Sequence, residues 1–298
     1  MKYWGFLRKD SNYIIGFQIR NQLNNVLFKF YPSKIGKCNR IIQIADPFLF
    51  VKNDILYCFY EKYANRGKGY IEVVFSCDLK KWERLKVELN ENCHFSFPFI
   101  FQENEMQLFM IPETGELNEV ALYLCDCFPT NWKKWKSLLI GNYVDSHIFR
   151  HNGFYFLFTT KKVRIIEKDN IFDYQLELYY SHNIDGEYLL HPSSPIKTGR
   201  KFGRSAGSIF TLDGRLFRTS QDCVNRYGRE VNLFEILLLN ENQFEEILFQ
   251  ENYIADNFDC EHGGHHLSTV CFKNDKIIAF DVNLKESYLQ RFINRLKL

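Results

Sequence analysis

Five stretches of the chain repeat one pattern of strand, tight turn and strand, and a period of this size admits few folds besides a propeller or a solenoid. They are Asp46 to Glu61, Phe97 to Glu113, Asp145 to Thr160, Ala206 to Gln221 and His266 to Asp281, spaced about 48–61 residues apart. Asn53-Asp54, Asn152-Gly153, Asp213-Gly214 and Asn274-Asp275 supply the positive φ that short hairpin turns need; Glu103-Asn104-Glu105 departs from this rule. A third strand follows four of the hairpins, at Tyr70 to Ser76, Val120 to Cys127, Leu176 to Ser181 and Val231 to Leu239. After Asp281 the spacing of Leu284, Tyr288, Leu289, Phe292, Ile293 and Leu296 suits a short amphipathic helix instead. Tyr13 to Ile19 and Asn25 to Tyr31 are then free to complete the last blade, which removes exposed sheet edges. The expected fold is all-β: a five-bladed β-propeller with a short C-terminal helix over 284–298, one domain across 1–298. Its longest irregular insertion, about Lys161 to Gln175, falls in the third blade.

Composition narrows the function. A 46% hydrophobic chain with 25% charged residues is not disordered, and Lys+Arg 38 against Asp+Glu 36 leaves a net charge of +2, with no basic arm for nucleic acid. No apolar run approaches the ~20 residues that span a bilayer. Met1 to Arg8 lack the apolar core of an export signal, so the expected location is the cytoplasm. Nine scattered cysteines read as reduced and mostly buried, and Cys125-Asp-Cys127 is one residue short of a zinc knuckle. No glycine-rich phosphate loop and no Gly-x-Ser-x-Gly elbow occurs, so neither cofactor nor metal is expected.

In a propeller the start of each first strand and the end of each second strand meet on one face of the central channel. The starts carry Asp46, Phe97, Asp145 with His147, Arg204 with Ser205, and His265 with His266. The ends carry Glu61, Glu113, Thr159 with Thr160, Gln221 with Asp222, and Asp281. A different polar residue in each blade is what a site needs and what packing alone does not. Each has a plain structural alternative. Asp46, before Pro47, suits a turn; Glu61 beside Lys62 suits a solvated pair; Glu113 suits an acid or the partner of a buried arginine. Arg204, among small neighbours, suits a carboxylate or phosphate ligand, or an ion pair with Asp145 or Glu113. Glu261-His262-Gly-Gly-His265-His266 suits a polar pocket wall better than any common metal spacing.

These residues also carry a resemblance. Asp46-Pro-Phe-Leu-Phe, Ser96-Phe-Pro-Phe, Met110-Ile-Pro-Glu-Thr114, Asp145-Ser-His-Ile-Phe, Leu178-Tyr-Tyr-Ser181, His191-Pro-Ser-Ser-Pro195 and Gly203-Arg-Ser-Ala-Gly207 resemble, in order, the N-terminal propeller domain of plant glucosamine inositolphosphorylceramide transferases and its bacterial relatives. The likeness runs from about Ile42 to Val282. That domain is similar in turn to glycoside hydrolase family 43. The resemblance implies a sugar-active or sugar-binding propeller of surface-glycan metabolism. Asp46 matches the hydrolases' base and Asp145 their orienting carboxylate, whereas Arg204-Ser-Ala-Gly207 stands where their acid Glu would be. Glu113 is the candidate to replace that acid. The expected activity is glycosyl or related group transfer. Asp46, Glu113 and Asp145 would be catalytic, and Glu61, His147, Arg204, Ser205, Gln221, Asp222, His265 and His266 would bind a carbohydrate or sugar nucleotide. Two alternatives stay open: a binding propeller that assists separate glycan-assembly enzymes, and a family-43-like glycosidase.

Overall fold

A computed structural model describes residues 13–20, 26–30, 42–64, 67–166, 171–258 and 264–283. Its strands form five sheets in a propeller-like, all-β arrangement. The first is a meander of Ile42–Lys52, Ile55–Ala64, Tyr70–Ser76 and Glu83–Lys86. The second runs Ser96–Gln102, Leu108–Glu113, Glu119–Cys127 and Asn131–Ile140, with Glu88–Leu89 added in parallel at its edge. The third starts with Tyr143–His151, Phe154–Ile166 and Ile171–Ser181. In the fourth, Arg204–Ser205 and Phe210–Leu212 share the partner Arg215–Asp222, and Glu230–Leu239 and Phe244–Gln250 follow. The last sheet joins the two ends of the chain: Leu267–Phe272 pairs with Asp275–Asn283, which pairs with Tyr13–Arg20, which pairs with Val26–Phe30.

Aromatic and β-branched alternation explains why these segments are strands, and it fills the gaps between sheets. Phe59, Ile71 and Val73 of the first sheet meet Met110, Tyr123 and Trp132 of the second. Ile111 and Leu122 of the second meet Ile148 and Leu157 of the third. Phe156, Phe158 and Leu178 meet Ile236 and Leu239 of the fourth. Phe217, Leu233, Phe280, Leu56 and Tyr60 then join the fourth, last and first sheets in one cluster. Each such side chain contributes about 1.5–3 kcal/mol by leaving water.

One expectation changes. Residues 161–166 and 171–175 are not irregular: they extend the two strands of the hairpin as far as the Ile166↔Ile171 pair. The helix that is described is Tyr253–Phe258, ahead of the last sheet; the helix expected over 284–298 lies outside the described residues. Among the described residues no helix is long and apolar enough to cross a membrane.

Candidate functional site

The innermost strands of the first three sheets carry a β-bulge at the same place. Pairing slips between Ala45 and Phe48, between Ser96 and Phe99, and between Val144 and His147. Inside each bulge one residue is left-handed: Asp46 at φ +54°, Phe97 at +46° and Asp145 at +52°. Aspartate tolerates this region, but for a bulky residue it is strained by about 1–3 kcal/mol. Phe97 is held there by packing, its buried ring 4.7 Å from Phe48 and 5.1 Å from His266. The bulges turn the two carboxylates toward the axis.

At the axis those carboxylates fasten sheets together. Asp281 Oδ2 accepts the Asp46 N–H at 3.0 Å, and its Oδ1 accepts the N–H groups of His265 and His266 at 2.8 and 3.0 Å. Asp46 Oδ2 in turn accepts the Phe97 N–H at 3.0 Å. The third sheet reaches the fourth through Thr160 Oγ1, which accepts the Ser205 N–H at 3.1 Å. The fourth reaches the last through Ala206 O, which accepts the Leu267 N–H at 2.8 Å.

Above this girdle lies a cavity of about 290 Å³ lined by Asp46, Glu61, Tyr63, His94, Ser96, Glu113, Lys162, Arg204, Tyr227 and His265, among others. A second cleft of about 420 Å³ shares Tyr63, His94 and Glu113 with it and extends to Lys68 and Glu116. Asp46, Glu61, Glu113, Arg204 and His265 therefore meet as the sequence expects. Asp145, His266, Gln221 and Ser205 stand behind them. Arg204 Nε lies 2.5 Å from Asp145 Oδ2, and the arginine sits between the Tyr174 and Tyr227 rings, at 5.3 and 4.8 Å from their centroids. Gln221 Nε2 donates to Ser205 O at 2.9 Å and lies 3.4 Å from Asp145 Oδ2 and 3.2 Å from His266 Nε2.

Two expected site residues are elsewhere. His147 is buried against Phe158, rings stacked at 5.3 Å, and burial together with Arg218 lowers its pKa to about 3. The bulge at Asp145 resets the alternation, so His147 turns into the wall of the sheet. Asp222 follows Gln221 on a strand and so faces the other way, where it pairs with Arg229 and accepts the Val224 N–H. Glu261 and His262 lie outside the described residues.

The sequence reading missed Tyr63, His94, Lys162 and Tyr227. Tyr63 and Lys162 lie two residues beyond Glu61 and Thr160 on strands that run further than the repeat pattern indicated, and that alternation is the signal that could have found them. His94 and Tyr227 lie outside strands and follow no period. His94 Nε2 lies 3.0 Å from Glu61 Oε1, and its Nδ1 accepts the Gly69 N–H at 2.9 Å.

Electrostatics separates the carboxyls. Burial, then the charge of Asp145, raises Glu113 to about 7, although Lys162 and Arg204 oppose the shift. Burial would raise Asp145 too, but the charge of Arg204 and the hydrogen bond with His266 overcome it and hold Asp145 below the usual carboxylate range. Asp281 is likewise held low, by His265 and His266 against burial. Burial lowers His266, but Asp46, Asp145 and Asp281 more than offset this and raise it well above an ordinary imidazole.

Asp46, His265, His266 and Asp281 bring one ligand atom each within 4.8 Å of one another, close enough for a single cation. Their bonding fits a proton network better. His265 Nδ1 lies 2.5 Å from Asp281 Oδ2 and His266 Nδ1 lies 2.5 Å from Asp46 Oδ1, so each ring already faces a carboxylate, and a protonated His266 is no ligand.

A model of the N-terminal region of glucosamine inositolphosphorylceramide transferase 1 matches residues 24–280. The chain belongs to this family. It is 36% identical over 208 residues to glucosamine inositolphosphorylceramide transferase 1 of Arabidopsis thaliana, covering 68% of this chain and 27% of that protein. The Oryza sativa subsp. japonica protein of the same name gives 36% over 210 residues, again covering 68% and 27%. The chain thus spans about a quarter of the length of the curated relatives it matches. Among solved structures it is similar to a family 117 glycoside hydrolase of Zobellia galactanivorans, with a TM-score of 0.54 at 12% identity over 94% of this chain and 98% of that one. It is also similar to a GH32 β-fructofuranosidase of Bombyx mori, with a TM-score of 0.59 at 15% identity over 83% and 57%. At these identities the likeness is one of fold.

Proposed function

We propose that this family member is a carbohydrate-active propeller of surface-glycan assembly, its five sheets the blades of one closed ring, and that the central cavity takes part in glycosyl transfer. The names of its relatives point to a glucosamine donor group and an inositolphosphoryl acceptor. The observation that carries the catalytic reading is one cavity whose three carboxyls stand in different environments: Glu113, whose proton is retained to about pH 7, Asp46, beside His266, and Glu61, beside His94. Such a split is how a site keeps an acid and a base ready together. Glu113 would give its proton to the departing oxygen as the sugar's bond to it breaks. Asp46 would take the acceptor's hydroxyl proton as the new bond forms, with His266 and Asp281 behind it. Asp145 holds Arg204 in the wall rather than acting on substrate.

A second reading has its own support. Asp46 Oδ2 accepts a backbone N–H, its Oδ1 faces His266, and Asp145 is bound to Arg204, so these carboxylates already serve the ring. On that reading the cavity only holds a glycan or sugar nucleotide for a separate transferase.

Purified protein is titrated with sugar nucleotides and glycans by thermal shift, and turnover is followed for wild type, Asp46→Asn and Glu113→Gln. Turnover that both substitutions reduce at least about a hundredfold supports catalysis. Ligand stabilisation without turnover supports the binding reading, and release of free sugar without transfer would instead mark a glycosidase.

A further inference from the structure

The outer strand of a sheet presents unpaired N–H and C=O groups, and natural chains blunt such edges with charge or by keeping them short. Three sheets here follow that rule. The first ends on Glu83–Lys86, a Glu-Arg-Leu-Lys run exposed throughout. At the outer edges of the second and third stand Glu88–Leu89, Leu189–Leu190 and Lys197–Thr198, two residues each. The fourth sheet departs from it. Its outer strand, Phe244–Gln250, runs seven residues without lysine or proline, and among the described residues it pairs on one side only, with Glu230–Leu239. Toward its middle Ile247, Leu248 and Phe249 stand 49, 42 and 46% exposed. The helix Tyr253–Phe258 turns back over the start of Glu230–Leu239, where the Ile254 N–H donates to Glu230 Oε1 at 2.9 Å.

This strand is its own complement. A two-fold axis lays an edge antiparallel on a second copy of itself, and directly opposite residues then share a face. Centred on Ile247, the axis sets Glu245 opposite Phe249, Glu246 opposite Leu248 and Ile247 opposite itself. No glutamate meets a glutamate, and Glu246 is already neutralised by Arg218. The exposed Arg215 guanidinium lies 5.2 Å from the centroid of the Phe249 ring, so the same register brings Glu245 of one copy to Arg215 of the other. Apolar side chains therefore meet at the centre, with opposite charges on either side of it.

We propose that Phe244–Gln250 is a dimer interface, through which two copies of the chain join their fourth sheets edge to edge as one continuous antiparallel sheet. Gln250 pairs with Leu233 at the end of the sheet where Val231 pairs with Gln221, behind the cavity. Antiparallel pairing thus makes the two cavities open in opposite directions. The inference stands independently of the carbohydrate reading.

The test is sedimentation velocity of the whole chain from about 1 to about 100 μM, which should show a species of twice the chain's mass. Ile247→Lys, which sets two like charges together on the two-fold axis, should raise the dissociation constant at least about a hundredfold, and Glu245→Arg, now facing Arg215, about tenfold. Leu85→Lys, on the edge of the first sheet, should leave it within about twofold. Cross-linking reads the register, and stands even if Ile247→Lys fails to fold. With glutathione disulfide as oxidant, Ile247→Cys should add a disulfide-linked dimer beyond whatever the wild-type cysteines give, whereas Leu248→Cys, opposite Glu246, should not. A single-chain mass at every concentration overturns the inference, whether or not the chain's own residues cover the strand. So does a dimer that Ile247→Lys leaves intact, equal cross-linking of the two cysteine variants, or growth into larger assemblies, since an interface on a two-fold axis closes at two copies.

Discussion

Arg204 Nε lies 2.5 Å from Asp145 Oδ2, a contact that carries the fourth sheet's cation onto a carboxylate turned inward by the third sheet's bulge. Both side chains are almost wholly withdrawn from water. Removing one member therefore leaves a buried, unbalanced charge, which costs about 3–5 kcal/mol, whereas removing both leaves none. Asp145→Asn and Arg204→Met should each destabilise by that amount in urea denaturation, and the double variant by clearly less than their sum. A double loss equal to the sum would mean that the pair does not interact.

Glu113 gives a pH dependence of definite sign. Its folded value, about 7, lies above its ordinary 4.5, so between these limits the folded chain holds a proton that the unfolded chain has released. Stability from this group is complete below about pH 4.5 and is lost as pH rises through 7, with an upper bound of about 3 kcal/mol that contact with the open cavity reduces. Glu113→Gln should remove that slope. The check is the unfolding free energy of both proteins at intervals from about pH 4.5 to 8; parallel curves would refute the shift.

Much of this was readable in the chain because its determinants are local. Hairpin alternation and turn residues fixed four of the sheets, and the rule that strand starts and ends share a face brought Asp46, Glu61, Glu113, Arg204 and His265 to one cavity. The failures follow from what a period of two cannot express. A bulge flips the side beyond it, so His147 left the site on which Asp145 stayed. Adjacent residues point oppositely, so Gln221 entered and Asp222 did not. His94 and Tyr227 come from segments outside strands, whose course is set by tertiary contacts such as the Gly69 N–H on His94 Nδ1.

Gly69 is where that contact is most exposed to test. A Cβ there would lie 2.6 Å from His94 Cε1, 2.7 Å from Glu61 Oε1 and 2.9 Å from Phe95 O. Gly69→Ala must therefore push His94 from Glu61. The hydrogen bond to that carboxylate is the main cause raising His94 above its ordinary 6.5, so its NMR titration midpoint should fall in the variant, with about 1–3 kcal/mol of destabilisation from overpacking. An unchanged midpoint would show that the Glu61 contact survives and that Gly69 does not set it.

The joint between the last sheet and the first should depend most on Asp281. One carboxylate accepts three backbone N–H groups, of Asp46, His265 and His266, and also faces the His265 ring, so it ties the last sheet to the first and balances the imidazoles. Asn keeps the shape but has one acceptor oxygen and no charge. Asp281→Asn should cost about 3–5 kcal/mol, a fall in melting temperature on the order of 10 °C for a chain of this size. Acid should tell the same story. Because His265 and His266 hold Asp281 below its ordinary 3.8, its contribution is present above that value and is lost as pH falls below it. Wild type should therefore lose stability steeply under acid conditions, while the variant begins lower and loses less. If Asp281→Asn instead melts within a degree or two of wild type, the carboxylate is not what ties the last sheet to the first, and the apolar cluster that the two share must hold them together.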